Sequence, residues 1–378
     1  MLGDAVREEP VIEVGCGTGQ IAGELLSANP NLRYVGRAPR APLDVSKLGR
    51  RILVIGCGFL GERLVAELVR AAHPTVVLTR SPIDAEKQNR IRGAELIIGD
   101  AATEQFLDRA LAGVTHVVYS AGGLLPAESD LNPELDLTLS LPPLIRLLEA
   151  LREREGVGLL LLSSGGTVYG RAEYLPVDEE HPTKPISSYG IVKLTCEKYA
   201  AMYADRHGIP AQVLRCSNVY GENQPAERGQ GTIPTFLQRI LADEPLTIFG
   251  DGSIVRDYLY VGDLATVVLR LLELPAEPRL LNVGSGKGAS LSRLVELIEG
   301  LTGKSVPIDR RPDRPFDVKE IVLDVSRLKA LVDFEPIPLE EGTRLTLESL
   351  LRGGRPLSPD RSKADGEHSR EQNRGRRP

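Results

Sequence analysis

Val54-Ile55-Gly56-Cys57-Gly58-Phe59-Leu60-Gly61 decides the fold. The apolar run Arg51–Ile55 that leads into it predicts a buried strand, and Leu60–Arg70 predicts a helix. Between them Gly56, Gly58 and Gly61 make a Gly-x-Gly-x-x-Gly turn. In that setting the glycines let the backbone approach a pyrophosphate closely, and the helix N-terminus favours its negative charge. With Phe59 and Leu60 they are the candidate dinucleotide-binding residues.

The same alternation continues outward. Thr75–Leu78, Glu95–Ile98, Thr115–Tyr119, Gly158–Leu162 and Ala211–Arg215 read as short buried strands. Helical patterns lie at Thr103–Leu111, at Pro142–Arg154, and from Tyr189 to about His207. Short apolar strands alternating with helices predict an α/β fold, a doubly wound parallel (Rossmann) sheet covered on both faces. From about Asn218 the pattern breaks into shorter elements, expected to form a smaller C-terminal substrate-binding lobe over the crevice at the strands' carboxyl ends. The expected organisation is a fragment and linker at 1–49, the sheet domain at 50–217, the lobe mostly at 218–351, and a disordered tail at 352–378.

The end of the second strand discriminates between nicotinamide cofactors. An acid there binds a ribose hydroxyl, and an arginine accommodates a 2′-phosphate. Here the strand runs Val76-Val77-Leu78-Thr79-Arg80-Ser81. Arg80 therefore leans the choice between NAD and NADP towards NADP, unless it is an ordinary surface arginine. Asp100 ends the third strand and either meets the adenine or caps the next helix.

Ser187-Ser188-Tyr189-Gly190-Ile191-Val192-Lys193 opens the long helix. A spacing of four puts Tyr189 and Lys193 on one helical face. An ammonium beside a phenol favours the phenolate, which suits a tyrosine to general-base work. In isolation such a pair is also a common solvated helix face.

Composition excludes several classes. The 378 residues are 42% hydrophobic and 26% charged, with a formal net charge of −6. That balance argues against nucleic acid or an anionic membrane as the main partner. No apolar run approaches the roughly 18 residues of a membrane-spanning helix. The first residues lack the apolar stretch of a signal peptide, so the expected setting is the cytoplasm. Four cysteines (Cys16, Cys57, Cys196, Cys216) and five histidines are scattered without ligand spacing. This predicts reduced structural thiols and no metal site.

Five ordered motifs carry a family resemblance. They are Gly56–Gly61, Ser163-Ser164-Gly165-Gly166-Thr167-Val168-Tyr169-Gly170, Tyr189–Lys193, Leu214-Arg215-Cys216-Ser217-Asn218-Val219-Tyr220-Gly221, and the run from Phe249 to Tyr258. Over roughly residues 50–350 the chain resembles the nucleotide-sugar epimerase/dehydratase family of extended short-chain dehydrogenase/reductases, of the UDP-glucose 4-epimerase type. The resemblance implies that Tyr189 is the general base and that Lys193 holds the nicotinamide ribose and favours the Tyr189 phenolate. It also implies that Asn218, Arg256 and Arg314 face a nucleotide diphosphate, which planar guanidinium groups suit. The alternative for Arg256 is a surface ion pair with Asp257. A homodimer built partly on the Tyr189 helix is implied as well.

The departures narrow the reading. The family's catalytic Ser/Thr position is Gly165 here, so the hydroxyl must come from Ser164 or Thr167. Dehydratases of the family place Asp-Glu next, where this chain has Gly166 and Thr167. The expected reaction is therefore 4-epimerisation of a nucleotide sugar. The alternative is NADPH-dependent 4-keto reduction, which Arg80 motivates. Separately, Val11-Ile12-Glu13-Val14-Gly15-Cys16-Gly17-Thr18-Gly19-Gln20 resembles the first motif of S-adenosylmethionine-dependent methyltransferases. With Arg37 and Ala38 where that family has an acid, it reads as a vestigial or fused fragment. The rival reading is a second nucleotide site.

Overall fold

The computed structural model describes residues 50–225, 231–312 and 318–352. The methyltransferase-like fragment, Arg314 and the tail after residue 352 lie outside the described residues. The first half runs β1 (Ile52–Ile55), α1 (Phe59–Arg70), β2 (Thr75–Thr79), α2 (Ala85–Arg90), β3 (Glu95–Ile98), α3 (Glu104–Leu111) and β4 (His116–Tyr119). It continues with α4 (Pro126–Leu131), α5 (Pro133–Arg152), β5 (Gly158–Ser164), α6 (Ser188–His207) and β6 (Ala211–Cys216). After it come β7 (Asn218–Tyr220), α7 (Thr232–Leu241), β8 (Leu246–Phe249), β9 (Val255–Tyr260), α8 (Val261–Glu273) and β10 (Arg279–Val283). The last elements are β11 (Gly288–Ser290), α9 (Leu291–Thr302), β12 (Ile308–Arg311), β13 (Glu320–Ile321), α10 (Ser326–Leu331) and α11 (Leu339–Arg352).

Seven strands form one parallel sheet in the order β10-β6-β5-β4-β1-β2-β3. Side-chain alternation divides each strand between two cores. Ile52 and Val54 pack with Leu64, Leu68, Leu264 and Val268 on one face. Leu53 and Ile55 pack with Leu107, Leu144 and Leu148 on the other. Each such fully buried side chain contributes about 1.5–3 kcal/mol. The strand order reverses between β1 and β4, so the crevice at their carboxyl ends is where a dinucleotide is expected.

Two features differ from the sequence reading. The helix expected at Pro142–Arg154 begins nine residues earlier, at Pro133, and runs through Pro142 and Pro143. Its first half buries Asp136 and Ser140 instead of an apolar stripe, so no 3.6-residue apolar period marks it. The seventh strand, β10, comes from within residues 218–351. The rest of that stretch supplies a second sheet, in which β9 pairs with β7, β11 and β13, and the β8–β12 pair.

Candidate active site

The glycine turn is built as expected. Gly56 has φ 96°, a left-handed conformation that strains any side-chain-bearing residue. A side chain there would also come within 2.7 Å of the Ala121 amide. Ser120 Oγ ties the turn down, donating to the Ile55 and Gly56 carbonyls at 3.1 and 2.9 Å. Gly58 caps α1 without a side-chain bond, and nothing lies within 4 Å of where its side chain would be. This open cradle at an uncapped helix N-terminus fits a pyrophosphate. Lys87 of α2 reaches the same turn, its Nζ donating to the Cys57 carbonyl at 2.9 Å. Buried Glu62 on α1 holds α2 in place through Arg90 and Lys87. No spacing rule links Glu62 to these residues, and the sequence reading missed them.

Arg80 follows β2 and is exposed. Asp100 does not cap α3, whose N-cap is Thr103. Its Oδ1 accepts from the Ala102 amide at 2.8 Å, a local turn that orders the end of β3 beside Arg80.

Tyr189 and Lys193 lie in the first turns of α6. Ser187 caps that helix, its Oγ accepting from the Gly190 amide at 3.2 Å. The ammonium stands 5.6 Å from the Tyr189 ring centre, and both residues are half-buried. Gly190 sits so close to the turn after β5 that a side chain would meet the Thr167 carbonyl at 2.8 Å. That contact sets the Tyr189 end of the helix against the candidate hydroxyls. Burial works against the Lys193 ammonium, but attraction from Tyr189, Cys196, Cys216 and Asp136 outweighs it, and its pKa is raised.

The two hydroxyls are not equivalent. Thr167 Oγ1 is shut off from solvent and has no hydrogen-bond partner. Ser164, at the carboxyl end of β5, is half-buried. A side chain on Gly166 would lie 2.9 Å from Asn218 Oδ1 and 4.0 Å from Ser164 Oγ. Ser164 and Asn218 therefore both lie beside Gly166, while Gly165 packs so closely that a side chain would meet Leu323 at 2.7 Å and the Arg215 carbonyl at 3.0 Å. Arg256 lies on β9, its Nη1 donating to the Val255 carbonyl at 2.8 Å. The Asp257 carboxylate accepts from Ser285, Gly286 and Leu323.

Below the pair, Glu197 continues the every-fourth-residue stripe of Tyr189 and Lys193. Arg215 Nη2 donates to Glu197 Oε2 at 2.8 Å and Nε at 3.1 Å. Ser163 Oγ donates to Oε1 of the same carboxylate. Arg215 also stacks 4.8 Å from the Tyr169 ring centre. Losing one partner of such a buried ion pair costs about 3–5 kcal/mol, so this clamp fixes α6 on β5 and β6. The i, i+4, i+8 spacing was a signal available in the sequence.

Known proteins agree with this geometry. The model of the NAD dependent epimerase/dehydratase family matches residues 52–284. A putative UDP-glucose 4-epimerase of Methanocaldococcus jannaschii is 32% identical over 292 residues, covering 76% of this chain and 94% of that protein. The UDP-glucose 4-epimerase of Thermotoga maritima, solved with UDP-glucose, superposes with a TM-score of 0.76 at 31% identity, over 80% of this chain and 99% of that one. The Thermus thermophilus UDP-glucose 4-epimerase, solved with NAD, gives 0.73 at 31% identity, over 81% and 100%.

Proposed function

This chain belongs to the NAD-dependent epimerase/dehydratase family, and we propose that it is a nucleotide-sugar 4-epimerase. The observation that carries the reading is the joint placement of Tyr189, Lys193, Ser164 and Asn218 at the carboxyl end of the sheet, with glycine where a dehydratase needs an acid. The open Gly56–Gly61 turn and the α1 N-terminus fit the NAD pyrophosphate. Arg80 and Asp100 stand on the adenosine side, and Tyr189 and Lys193 on the nicotinamide ribose side. NAD held there would supply the hydride acceptor for sugar C4 and, once reduced, the donor to the opposite face of the 4-keto sugar. Tyr189 Oη takes the proton of the sugar 4-hydroxyl and later gives it back. Lys193 offsets the phenolate charge. Ser164 Oγ is the hydroxyl placed to bond the sugar O4. Asn218 and Arg256, with Arg314, are assigned to the diphosphate.

The test is incubation with UDP-glucose, UDP-N-acetylglucosamine and UDP-glucuronate plus NAD, followed by proton NMR. Appearance of a C4 epimer is the expected result, and its absence with all three removes the reading for those sugars. Exposed Arg80 is the one observation favouring an NADPH-dependent ketoreductase. NAD as the family cofactor weighs against it. Denatured protein that releases stoichiometric NAD supports the epimerase.

We also assign the homodimer to the face formed by α4, α5 and α6. Leu131, Leu135, Leu137, Ile186 and Ile191 are all exposed there around a groove of about 680 Å³, an apolar patch of the kind a second copy covers. Ile191→Glu is expected to give a monomer by light scattering. No helix among the described residues is long and apolar enough to cross a membrane. Free, buried Cys57, Cys196 and Cys216 and the nucleotide-sugar substrate support a cytoplasmic setting.

A further inference from the structure

Two consecutive glycines after β4 stand between the reaction's cation and a buried acid. A side chain at Gly122 would lie 3.8 Å from Lys193 Nζ. One at Gly123 would lie 2.2 Å from Asp136 Oδ1 and 2.5 Å from Ser140 Oγ. Asp136 itself is 1% exposed. Its Oδ1 accepts from the Leu124 amide at 2.8 Å and from Ser140 Oγ at 3.2 Å, and its Oδ2 from Ser129 Oγ at 2.6 Å. All three donors are neutral. A carboxylate buried this deeply is costly unless a charge nearby compensates it. Ser140, Ser163, Lys193 and Cys196, together with Tyr119, Ala121, Leu161 and Leu162, line one small cavity of about 10 Å³. Lys193 and Ser140, whose hydroxyl bonds Asp136, thus border the same small cavity.

We propose that Asp136 is a positioning residue for the reaction. Its carboxylate is the counter-charge that keeps Lys193 an ammonium, and its bond to the Leu124 amide fixes the two-glycine loop along which that ammonium lies. The role rests on the function given to Lys193 above. The other groups facing Lys193 are Tyr189, Cys196 and Cys216. Burial pushes the two thiols up to about 11 and about 12, so neither is charged near neutral pH. Asp136 is the carboxylic acid of the set. Removing its charge withdraws an attraction, so Lys193 then releases its proton at lower pH.

Amine acylation tests this without a turnover assay. The full-length protein is pulsed with acetic anhydride from about pH 7 to about pH 11, and Lys193 acetylation is read by mass spectrometry. Asp136→Asn is expected to move the onset down by about one pH unit, roughly tenfold faster labelling at a fixed pH below it. Asp136→Glu is expected to keep the wild-type profile. An unmoved onset in folded Asp136→Asn overturns the proposal. Thermal melting gives a second arm. Lys193→Gln leaves the buried carboxylate uncompensated, so adding Asp136→Asn raises the melting temperature above that of Lys193→Gln alone. A double variant that melts lower overturns the proposal. Failure of the epimerase reading looks different, as a wild-type protein without turnover whose Lys193 labelling still shifts in Asp136→Asn.

Discussion

The two ends of the parallel sheet are built on opposite terms. At the amino end, His116 is buried, Gly158 packs so closely that a side chain would meet the His116 ring at 2.7 Å, and Arg51 bonds Glu95 and the Ala112 carbonyl. His116 is enclosed there, while the partly exposed Arg51–Glu95 pair ties β1 to β3 at the rim. At the carboxyl end, Tyr189, Lys193, Ser164 and Asn218 are only partly covered. The same strands thus carry a closed end that holds the fold and an open end that is available for chemistry.

The largest expected effect lies at the open end. Tyr189→Phe should lower epimerisation roughly 10²–10⁴-fold with little change in melting temperature. A large loss of stability instead would break the comparison. His116 gives the reciprocal case. Burial first, then Arg50 and His73, hold its pKa down at about 4. The unfolded chain binds that proton more tightly, so stability falls as pH drops from about 6.5 towards 4, by about 3 kcal/mol in all. His116→Gln should flatten that slope in urea titrations and leave kcat at neutral pH unchanged.

Ser164→Ala comes next, with a kcat loss of roughly tenfold to a hundredfold. Thr167→Ala should change kcat less than Ser164→Ala does, because its hydroxyl is shut off from solvent. The reverse order would reassign the hydroxyl. Asp263 extends the comparison beyond the sheet's ends. Burial pushes its carboxyl up to about 6 while it accepts from the Ile337 amide. The folded state holds that proton more tightly, so stability falls as pH rises from about 4 to 6. Asp263→Asn keeps the acceptor and should add roughly 1–2 kcal/mol at neutral pH, a gain that vanishes near pH 4.

The closed and open ends were not equally legible. The glycine turn and the Tyr189–Lys193 spacing could be read because local geometry dictates both. Ser164 and Thr167 could not be separated, since which hydroxyl faces outward depends on how the turn after β5 packs on Gly190. Asp136 and Ser140 hid the first half of α5 by putting polar side chains where an apolar stripe signals a helix. Strand β10 was missed because its partner β6 lies more than sixty residues away, beyond any local pattern.

Strand β10 also has a consequence for the order in which the chain is made. Until it emerges, β6 is an uncovered edge, and pairing two strands so far apart in sequence is slow. A nascent chain halted after residue 217 therefore presents a sticky, incomplete sheet rather than a finished module. The two parts of this enzyme must mature together, and dissecting the chain at that boundary should yield aggregate rather than a soluble cofactor-binding half.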